Sequence, residues 1–444
     1  MKRRRSADGG LVIVAAIAAV AWRLGGARPP LRPLPVLWAL AACAVVLVAA
    51  AAAATLASRR RFPARATEAL IAVGVADRQA APVLRHSRRS GSAWDLAWRM
   101  PPGISVSSLL RRREEIEQTL DVSAEFWFDA GLVHMRAATG ALPKQVRFGD
   151  FYSDRAPAGE LVFGVGITRE GPLWADLTAL PHLLVGGQTS GGKSAFIRQA
   201  LTWLATTHGP DELRLAAVDL KGGLELNAFE RLPHAIGAAA RDVDECLQLM
   251  ELLLAELDRR QLALHRLGAE DVRRWNAAQP ARRLPYVVVV IDEMAELSAV
   301  ESANRDEKAR RQAALASVSR MARVGRALGF HVIASTQRPD AEAVPGQIKA
   351  NMPATVAFRV RSAVNSRILL GEDNASAAGL PPIPGRGIWQ HDRELRFQGI
   401  WLDKPEAEAL LARRAAGGEI ACTERVTPCL LCPTDRDGGD RPCV

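Results

Sequence analysis

VGGQTSGGKS, residues 185–194, is the stretch that decides the fold, because it holds glycine, four residues, glycine, lysine and serine in that order. This spacing is the signature of a phosphate-binding loop between a strand and a helix. The apolar run at 183–185 predicts a short buried strand before the loop. The apolar residues at 196, 197, 200 and 201 have the spacing of one helix face after it. The sequence therefore predicts a site for ATP or GTP.

Each loop residue has an expected place in that site. Glycines let consecutive backbone N–H groups turn toward a triphosphate, while Lys193 reaches its β and γ phosphates and the Ser194 hydroxyl binds Mg²⁺. The predicted nucleotide-binding residues of the loop are Gly187, Gln188, Thr189, Ser190, Gly191, Gly192, Lys193 and Ser194.

A second element of a nucleotide site lies about a hundred residues further on. Residues 286–291 are apolar and mostly β-branched, and Asp292 and Glu293 follow them. Such an unbroken run is typical of a central parallel strand covered on both faces, and ligands bind at the carboxyl ends of such strands. We expect Asp292 to hold Mg²⁺ together with Ser194, and Glu293 to polarise the attacking water, as in a Walker B motif.

Further strands are predicted at 215–220 and at 331–335, and a long amphipathic helix is predicted at 247–264. The strand at 331–335 runs into Thr336 and Gln337, and this polar tip is a candidate sensor of the γ-phosphate. Strands and helices alternate from residue 161 onward, which predicts a parallel sheet flanked by helices.

Five passages, in order, resemble the FtsK/SpoIIIE family of hexameric, RecA-like DNA-pumping ATPases over about residues 160–402. They are PHLLV (181–185), the Walker B pair, GFHVIASTQRPD (329–340), GQIKANMP (346–353) and NSRILL (365–370). The resemblance implies an α/β fold, a RecA-like P-loop ATPase with a central parallel sheet. It also implies ATP and Mg²⁺ as cofactors, DNA as partner, and a homo-oligomer in the form of a hexameric ring.

The same resemblance suggests roles for Gln337 and for three arginines. Gln337 is implied to be the γ-phosphate sensor, and Arg326 is a candidate arginine finger that reaches the nucleotide of the neighbouring subunit. Arg323 is the rival for that role, and Arg367 is a candidate for the same interface. The expected catalytic set is then Lys193, Glu293, Gln337 and Arg326.

Charge and hydropathy point to a membrane as well. The formal charge of +10 and the pI near 9.8 favour an anionic partner, either nucleic acid or the inner leaflet. Residues 34–56 are uncharged and long enough to span a bilayer, and 9–26 is a second candidate span, with a signal peptide as the competing interpretation. Basic flanks place both ends in the cytoplasm. We therefore expect a multi-pass inner-membrane protein with a cytoplasmic motor.

The chain is accordingly predicted to have five parts. A membrane anchor with two transmembrane helices covers 1–58, a juxtamembrane linker 59–92, a small α/β adapter 93–150, the motor 151–405 and a tail 406–444. In the adapter we expect a strand at 94–99, a helix at 106–120 capped by Ser105, and a hairpin of 126–128 with 132–135. The tail holds four cysteines and is interpreted as disordered, with a zinc site as the alternative.

These features favour a membrane-anchored, ATP-driven DNA translocase. Two spans, little linker and only a short tail after the motor resemble the coupling ATPases of conjugative and integrative elements, which implies partners from a transfer or division machinery. An FtsK-like chromosome segregation pump is one alternative, and a protein-export ATPase of the type VII kind is another. A scaffold that binds nucleotide without turnover is disfavoured by the presence of Lys193, Asp292 and Glu293 together.

Overall fold

The computed structural model describes residues 61–90, 92–153, 156–221, 226–298 and 304–416. It divides the chain into two units, Met1–Ala81 and Pro82–Val444. In the first unit a helix covers residues 61–72. None of the helices that the structure describes is long and apolar enough to cross a bilayer. On that finding the predicted multi-pass inner-membrane protein is not upheld. The two stretches that suggested it, 9–26 and 34–56, lie outside the described residues, as does the cysteine tail.

The second unit begins with a small antiparallel sheet in the order β1-β2-β4-β3. Its strands are β1 (Val83–Ser90), β2 (Ala93–Arg99), β3 (Ser123–Asp129) and β4 (Leu132–Ala138). Ala130 and Gly131 join β3 to β4 with φ of 47° and 77°. Positive φ at both central residues is what a type I′ hairpin turn requires, so this predicted hairpin is confirmed. Strand β1 lies in the stretch that the sequence assigns to the linker.

The helix expected at 106–120 is in fact two helices, α1 (Val106–Arg111) and α2 (Arg113–Leu120). Arg112 has φ −110° and ψ 17° between them, outside the helical range, and interrupts the backbone pattern. Ser105 stands at the first N-cap position as predicted, but its side chain makes no capping hydrogen bond.

Ion pairs connect the small sheet to the larger one. Arg393 pairs with Glu125 of β3 and with Glu170, the latter at 3.2 Å. Arg169 pairs with Asp121 at 2.7 Å. These contacts fix the small sheet against the edge of the larger sheet where short hairpins turn.

The large sheet has ten strands in the part of the chain that the structure describes, in the order β7-β6-β14-β13-β12-β8-β11-β10-β9, with β5 pairing to β14. Its strands are β5 (Val146–Arg147), β6 (Val162–Thr168), β7 (Gly171–Asp176), β8 (His182–Gly186), β9 (Leu213–Val218), β10 (Tyr286–Ile291), β11 (Phe330–Thr336), β12 (Ala354–Phe358), β13 (Arg386–Gln390) and β14 (Glu394–Trp401).

Only part of this sheet is parallel. Strands β9, β10, β11, β8 and β12 run parallel, as expected, whereas β12 to β13, β13 to β14, β14 to β6 and β6 to β7 are antiparallel. The prediction of a parallel sheet is therefore corrected to a mixed α/β sheet. The reason is local, since the connections from β6 to β7 and from β13 to β14 are too short for a crossover.

Helices cover the sheet and complete the core. They are α3 (Phe148–Phe151), α4 (Lys193–Thr207), α5 (Asn227–Glu230), α6 (Val243–Leu267), α7 (Val272–Ala278), α8 (Met294–Ser298), α9 (Arg305–Val324), α10 (Gly346–Lys349), α11 (Ala363–Leu370) and α12 (Lys404–Ala416). Every residue of β10 and β11 is buried. The five parallel strands end at one edge, which brings the phosphate loop, the Walker B acids and Gln337 together.

Candidate nucleotide site

The phosphate loop leaves β8 and enters α4 in a conformation that favours glycine. Gly187 has φ 150° and Gly192 has φ 126°. A Cβ at Gly187 would lie 2.7 Å from the Cβ of Phe358, and one at Gly192 would lie 2.9 Å from the Cα of Gly385. Both glycines therefore allow a close backbone approach that a side chain would obstruct.

Neighbouring segments hold the loop in place. The Gln188 N–H donates to the carbonyl of Arg359 at 2.9 Å, just past β12, and the Gly385 N–H donates to the carbonyl of Gly191 at 2.9 Å. Helix α4 begins directly after the loop, and the first N–H groups of a helix lack partners within the helix. The result is a preformed cradle with the positive end of a helix beneath it, which suits a phosphate group.

Lys193 is a buried cation at the base of the cradle. The residue is only 6% exposed, and its Nζ donates to the Gly187 carbonyl at 2.6 Å. Burial lowers the pKa of Lys193 to about 8, even though the nearby carboxylates of Glu293 and Asp292 favour its charged form. A phosphate bound here would favour the charged lysine further, so the loop and the lysine fit the nucleotide that the sequence predicts.

The two Walker B acids are buried where β10 ends. Both carboxylate oxygens of Glu293 accept hydrogen bonds. The Thr336 hydroxyl donates to Oε1 at 2.8 Å, the Gln337 N–H lies 3.1 and 3.0 Å from the two oxygens, and Lys221 Nζ donates to Oε2 at 2.6 Å. Asp292 is positioned by its N–H, which donates to the Val218 carbonyl of β9 at 3.0 Å.

Gln337 links the two halves of the site. Its backbone N–H donates to Glu293, while its side-chain Oε1 accepts from the Thr189 hydroxyl of the phosphate loop at 2.9 Å. The tip of β11 therefore touches both the loop and the buried acid, which is the placement expected of a group that responds to the γ-phosphate.

Two cavities open on either side of this link, and Thr189 and Gln337 border both. The first measures about 600 Å³ and is also lined by Gln188, Lys221, Glu293, Arg338 and Arg361. The second measures about 790 Å³, and its lining includes Ser190, Gly192, Lys193, Ser194, Ile400 and Trp401. Pockets of this size are typical of small-molecule sites. The second cavity has the mixed lining that a nucleoside needs, beside the loop that would hold its phosphates.

The structure does not bring the predicted arginines into this site. Arg326 and Arg323 are exposed and precede β11, so they lie at the amino end of the strand whose carboxyl end carries Gln337. The nearby charge of Arg326 contributes to lowering the pKa of His182, which begins β8 at that same edge. Arg367 is exposed on α11.

Two contacts of Glu293 were not predicted from the sequence, although Thr336 belongs to the polar strand tip that the sequence marks as a candidate sensor. Lys221 and Thr336 both contact Glu293. The sequence does hold a signal for each residue. Lys221 follows β9 and Thr336 ends β11, and both of these strands pair in parallel with β10. Their partner could not be read from the sequence, because the strand order that places them around Glu293 is a long-range property.

Comparison with known proteins links this chain to one family. Residues 147–341 match the FtsK/SpoIIIE family. The chain is 31% identical over 295 residues to the DNA translocase FtsK of Halalkalibacterium halodurans, covering 62% of this chain and 35% of that protein. It spans about a third of the length of the curated relatives it matches.

Two solved structures share the fold at appreciable identity. The pCW3 conjugation coupling protein TcpA, in a monomer form with ATPγS, is 25% identical with a TM-score of 0.57, over 80% of this chain and 99% of TcpA. The cytoplasmic domain of the type VII secretion ATPase EccC from Thermomonospora curvata is 26% identical with a TM-score of 0.52, over 62% of this chain and 33% of EccC.

Residues 147–341 thus lie in an ATPase domain of the FtsK/SpoIIIE type, whose sheet continues to Trp401.

Proposed function

We propose that this chain is an ATP-driven DNA translocase. The observation that carries the proposal is the meeting of the phosphate loop, the buried acids and Gln337 at one sheet edge, within a domain of the FtsK/SpoIIIE family. The curated relatives are named DNA translocases. A basic chain with a pI near 9.8 also suits a polyanionic partner such as DNA.

The residues divide the chemistry among them. The loop backbone from Gly187 to Gly192 and Lys193 would hold the phosphates, and Ser194 with Asp292 would hold Mg²⁺, which would supply positive charge beside the phosphate oxygens. Glu293 orients and deprotonates the attacking water. Gln337 responds to the γ-phosphate through Thr189, since its side chain already contacts that loop residue at 2.9 Å.

The cellular role that we propose is conjugative transfer. Its support is the likeness to TcpA, a conjugation coupling protein, over 99% of the solved TcpA chain. Chromosome segregation is the alternative within the same class of motors, supported by the likeness to FtsK over 35% of that protein. We further propose a homo-oligomeric ring, most simply a hexamer, in which Arg326 of one subunit serves the nucleotide of the next.

The likeness to EccC favours a second candidate, an ATPase that moves protein instead of DNA. The two candidates share the nucleotide site and differ in what accelerates turnover. DNA should stimulate a DNA motor and leave a protein-export motor unchanged.

ATP turnover of the full chain, measured with duplex DNA, with single strands and without nucleic acid, tests the proposal. We expect DNA to raise the rate severalfold and rising salt to reduce this effect, because salt weakens phosphate contacts. Lys193→Ala should lose most nucleotide binding, whereas Glu293→Gln should bind ATP and barely hydrolyse it. Near-normal turnover in both variants would refute the site, and a wild-type rate indifferent to DNA would favour the protein-export alternative.

A further inference from the structure

Glu293 is fully engaged in the structure, although its proposed role needs a carboxylate oxygen that faces water. Oε1 accepts from Thr336 at 2.8 Å, and Oε2 accepts from Lys221 at 2.6 Å. The Gln337 N–H lies within 3.1 Å of both oxygens. Among these donors Lys221 carries the charge, and it is also the exposed one: its side chain is 34% exposed, against 1% for Glu293.

Lys221 also shares a cavity with the phosphate loop. It borders the 600 Å³ cavity together with Gln188 and Thr189 of the phosphate loop. The positive charge of Lys221 contributes to lowering the pKa of Lys193. A lysine is a point charge with three donors on a flexible stem, so its Nζ can move between two nearby anions.

We propose that Lys221 exchanges partners during the ATP cycle: it is ion-paired with Glu293 when no triphosphate is bound, and it binds the γ-phosphate when ATP arrives. The exchange frees Oε2 of Glu293 for water only when a γ-phosphate is present. ADP has no such group and leaves the ion pair intact. This inference rests on the proposed ATP site, and it does not depend on whether DNA or protein is the cargo.

The remaining contacts of Glu293 make the exchange feasible. A buried carboxylate that loses its only partner is strongly destabilised. Glu293 keeps the Thr336 hydroxyl and the Gln337 N–H when Lys221 leaves, so its charge stays hydrogen-bonded. The lysine in turn moves from a carboxylate to a phosphate group with more charge, while Lys193 remains buried at the base of the loop.

The test is a double-mutant cycle on nucleotide binding to the full chain, with ATPγS and ADP as ligands in the presence of Mg²⁺. The four proteins are wild type, Lys221→Met, Glu293→Gln and the double variant. Lys221→Met should weaken ATPγS binding about tenfold, the size expected for one charge-assisted hydrogen bond, and should leave ADP binding nearly unchanged. Glu293→Gln should tighten ATPγS binding several-fold by releasing Lys221, and this gain should vanish in the double variant.

Three controls sharpen the cycle. Lys221→Arg keeps the charge and should retain most of the preference for ATPγS over ADP. Lys308→Met removes an exposed lysine on α9 and should change neither affinity. Thermal unfolding identifies a variant that fails to fold, in which case Lys221→Gln replaces Lys221→Met in the same cycle.

The outcomes separate this inference from the proposed function. A gain from Glu293→Gln that persists without Lys221 would mean simple repulsion between Glu293 and the γ-phosphate, and would overturn the exchange. Equal losses of ATPγS and ADP affinity in Lys221→Met would assign the lysine a structural role, again overturning it. Failure of the wild type to bind either nucleotide would overturn the ATP site itself, together with everything that rests on it.

Discussion

Lys193 is the residue on which the electrostatics of the site depend. Its folded pKa of about 8 lies below the usual value of 10.5, and burial is the main cause. The charged lysine is thus held at a cost of about 3 kcal/mol in the nucleotide-free protein, from 1.36 kcal/mol per pKa unit. A bound phosphate offsets that cost, which makes the lysine most useful when nucleotide is present.

A pH dependence of nucleotide affinity follows. A phosphate favours protonated Lys193 and raises its pKa, so affinity should be nearly constant below pH 8 and fall above it, by up to about tenfold per pH unit. Titration of ATPγS binding between pH 7 and pH 9.5 measures this. Lys193→Arg keeps its charge over the whole range and should lack the decline, whatever its absolute affinity. A wild-type affinity that stays constant up to pH 9.5 would contradict the lowered pKa.

At this scale the sequence predicts the loop and the acids because their chemistry is local. Glycine, lysine and serine at fixed spacing, and two acids directly after an apolar run, can be recognised without knowing the neighbours. Lys221 could not be assigned to Glu293 in that way, since 72 residues separate them and only the pairing of β9 with β10 brings them together.

Among the elements, the turn from β8 into α4 is the most constrained. Gly192 is the N-cap of α4, and the segment around Gly385 packs against it. The same segment donates its Gly385 N–H to Gly191. The loop is therefore fixed by backbone contacts, and small shifts there should affect phosphate binding directly.

Gly192→Ala tests this element. The added Cβ would lie 2.9 Å from the Gly385 Cα, at a φ of 126°. We expect ATPγS affinity to fall at least about tenfold and stability to fall by about 1–3 kcal/mol from backbone strain. Gly171→Ala is the matched control, since it has a φ of 136° and open space around the Cβ position. It should lose stability and keep its nucleotide affinity, and equal affinity in both variants would argue against a preformed loop.

Elements with strong periodicity were predicted well, and the others depended on tertiary pairing. The apolar run of β10 is buried throughout, as expected. Strand β1 is almost entirely exposed and rich in arginine, so it lacks the apolar alternation that would reveal a strand. Only its pairing with β2 defines it. The mixed sheet was missed because one hairpin precedes the run of parallel strands β8 to β12 and another follows it, and the alternation of strands and helices within the run does not reveal them.

At the scale of the whole molecule, the two ends of the central strands carry different candidate functional residues. The phosphate loop and Gln337 lie at the carboxyl ends of β8 and β11, while Arg326 precedes the amino end of β11. Arg326 therefore suits a neighbour's site better than its own. A contact between the Arg326 edge of the sheet in one subunit and the phosphate-loop edge in the next is heterologous. Heterologous contacts close into rings when the rotation between subunits permits. This arrangement supports the proposed ring.

Arg326→Ala should remove most turnover while leaving ATP binding largely intact, because an arginine finger acts on charge that develops in the transition state. Mixing this variant with Lys193→Ala subunits tests whether it acts across the interface. In mixed rings, some junctions pair an intact Arg326 from the Lys193→Ala subunit with an intact phosphate loop from the Arg326→Ala subunit. Partial activity should then return, although each variant alone is inactive.

Arg323 provides the comparison for that experiment, because it is exposed near the same end of α9. Arg323→Ala alone should retain most turnover if Arg326 is the finger, and mixing it with Lys193→Ala should add no activity beyond the contribution of its own subunits. Mass measurement of the mixtures verifies that mixed rings form. If such rings form and the Arg326→Ala mixtures stay inactive, while Arg323→Ala is inactive alone and recovers on mixing, then the finger is Arg323. The ring arrangement would survive that result, since both arginines lie at the sheet edge opposite the phosphate loop.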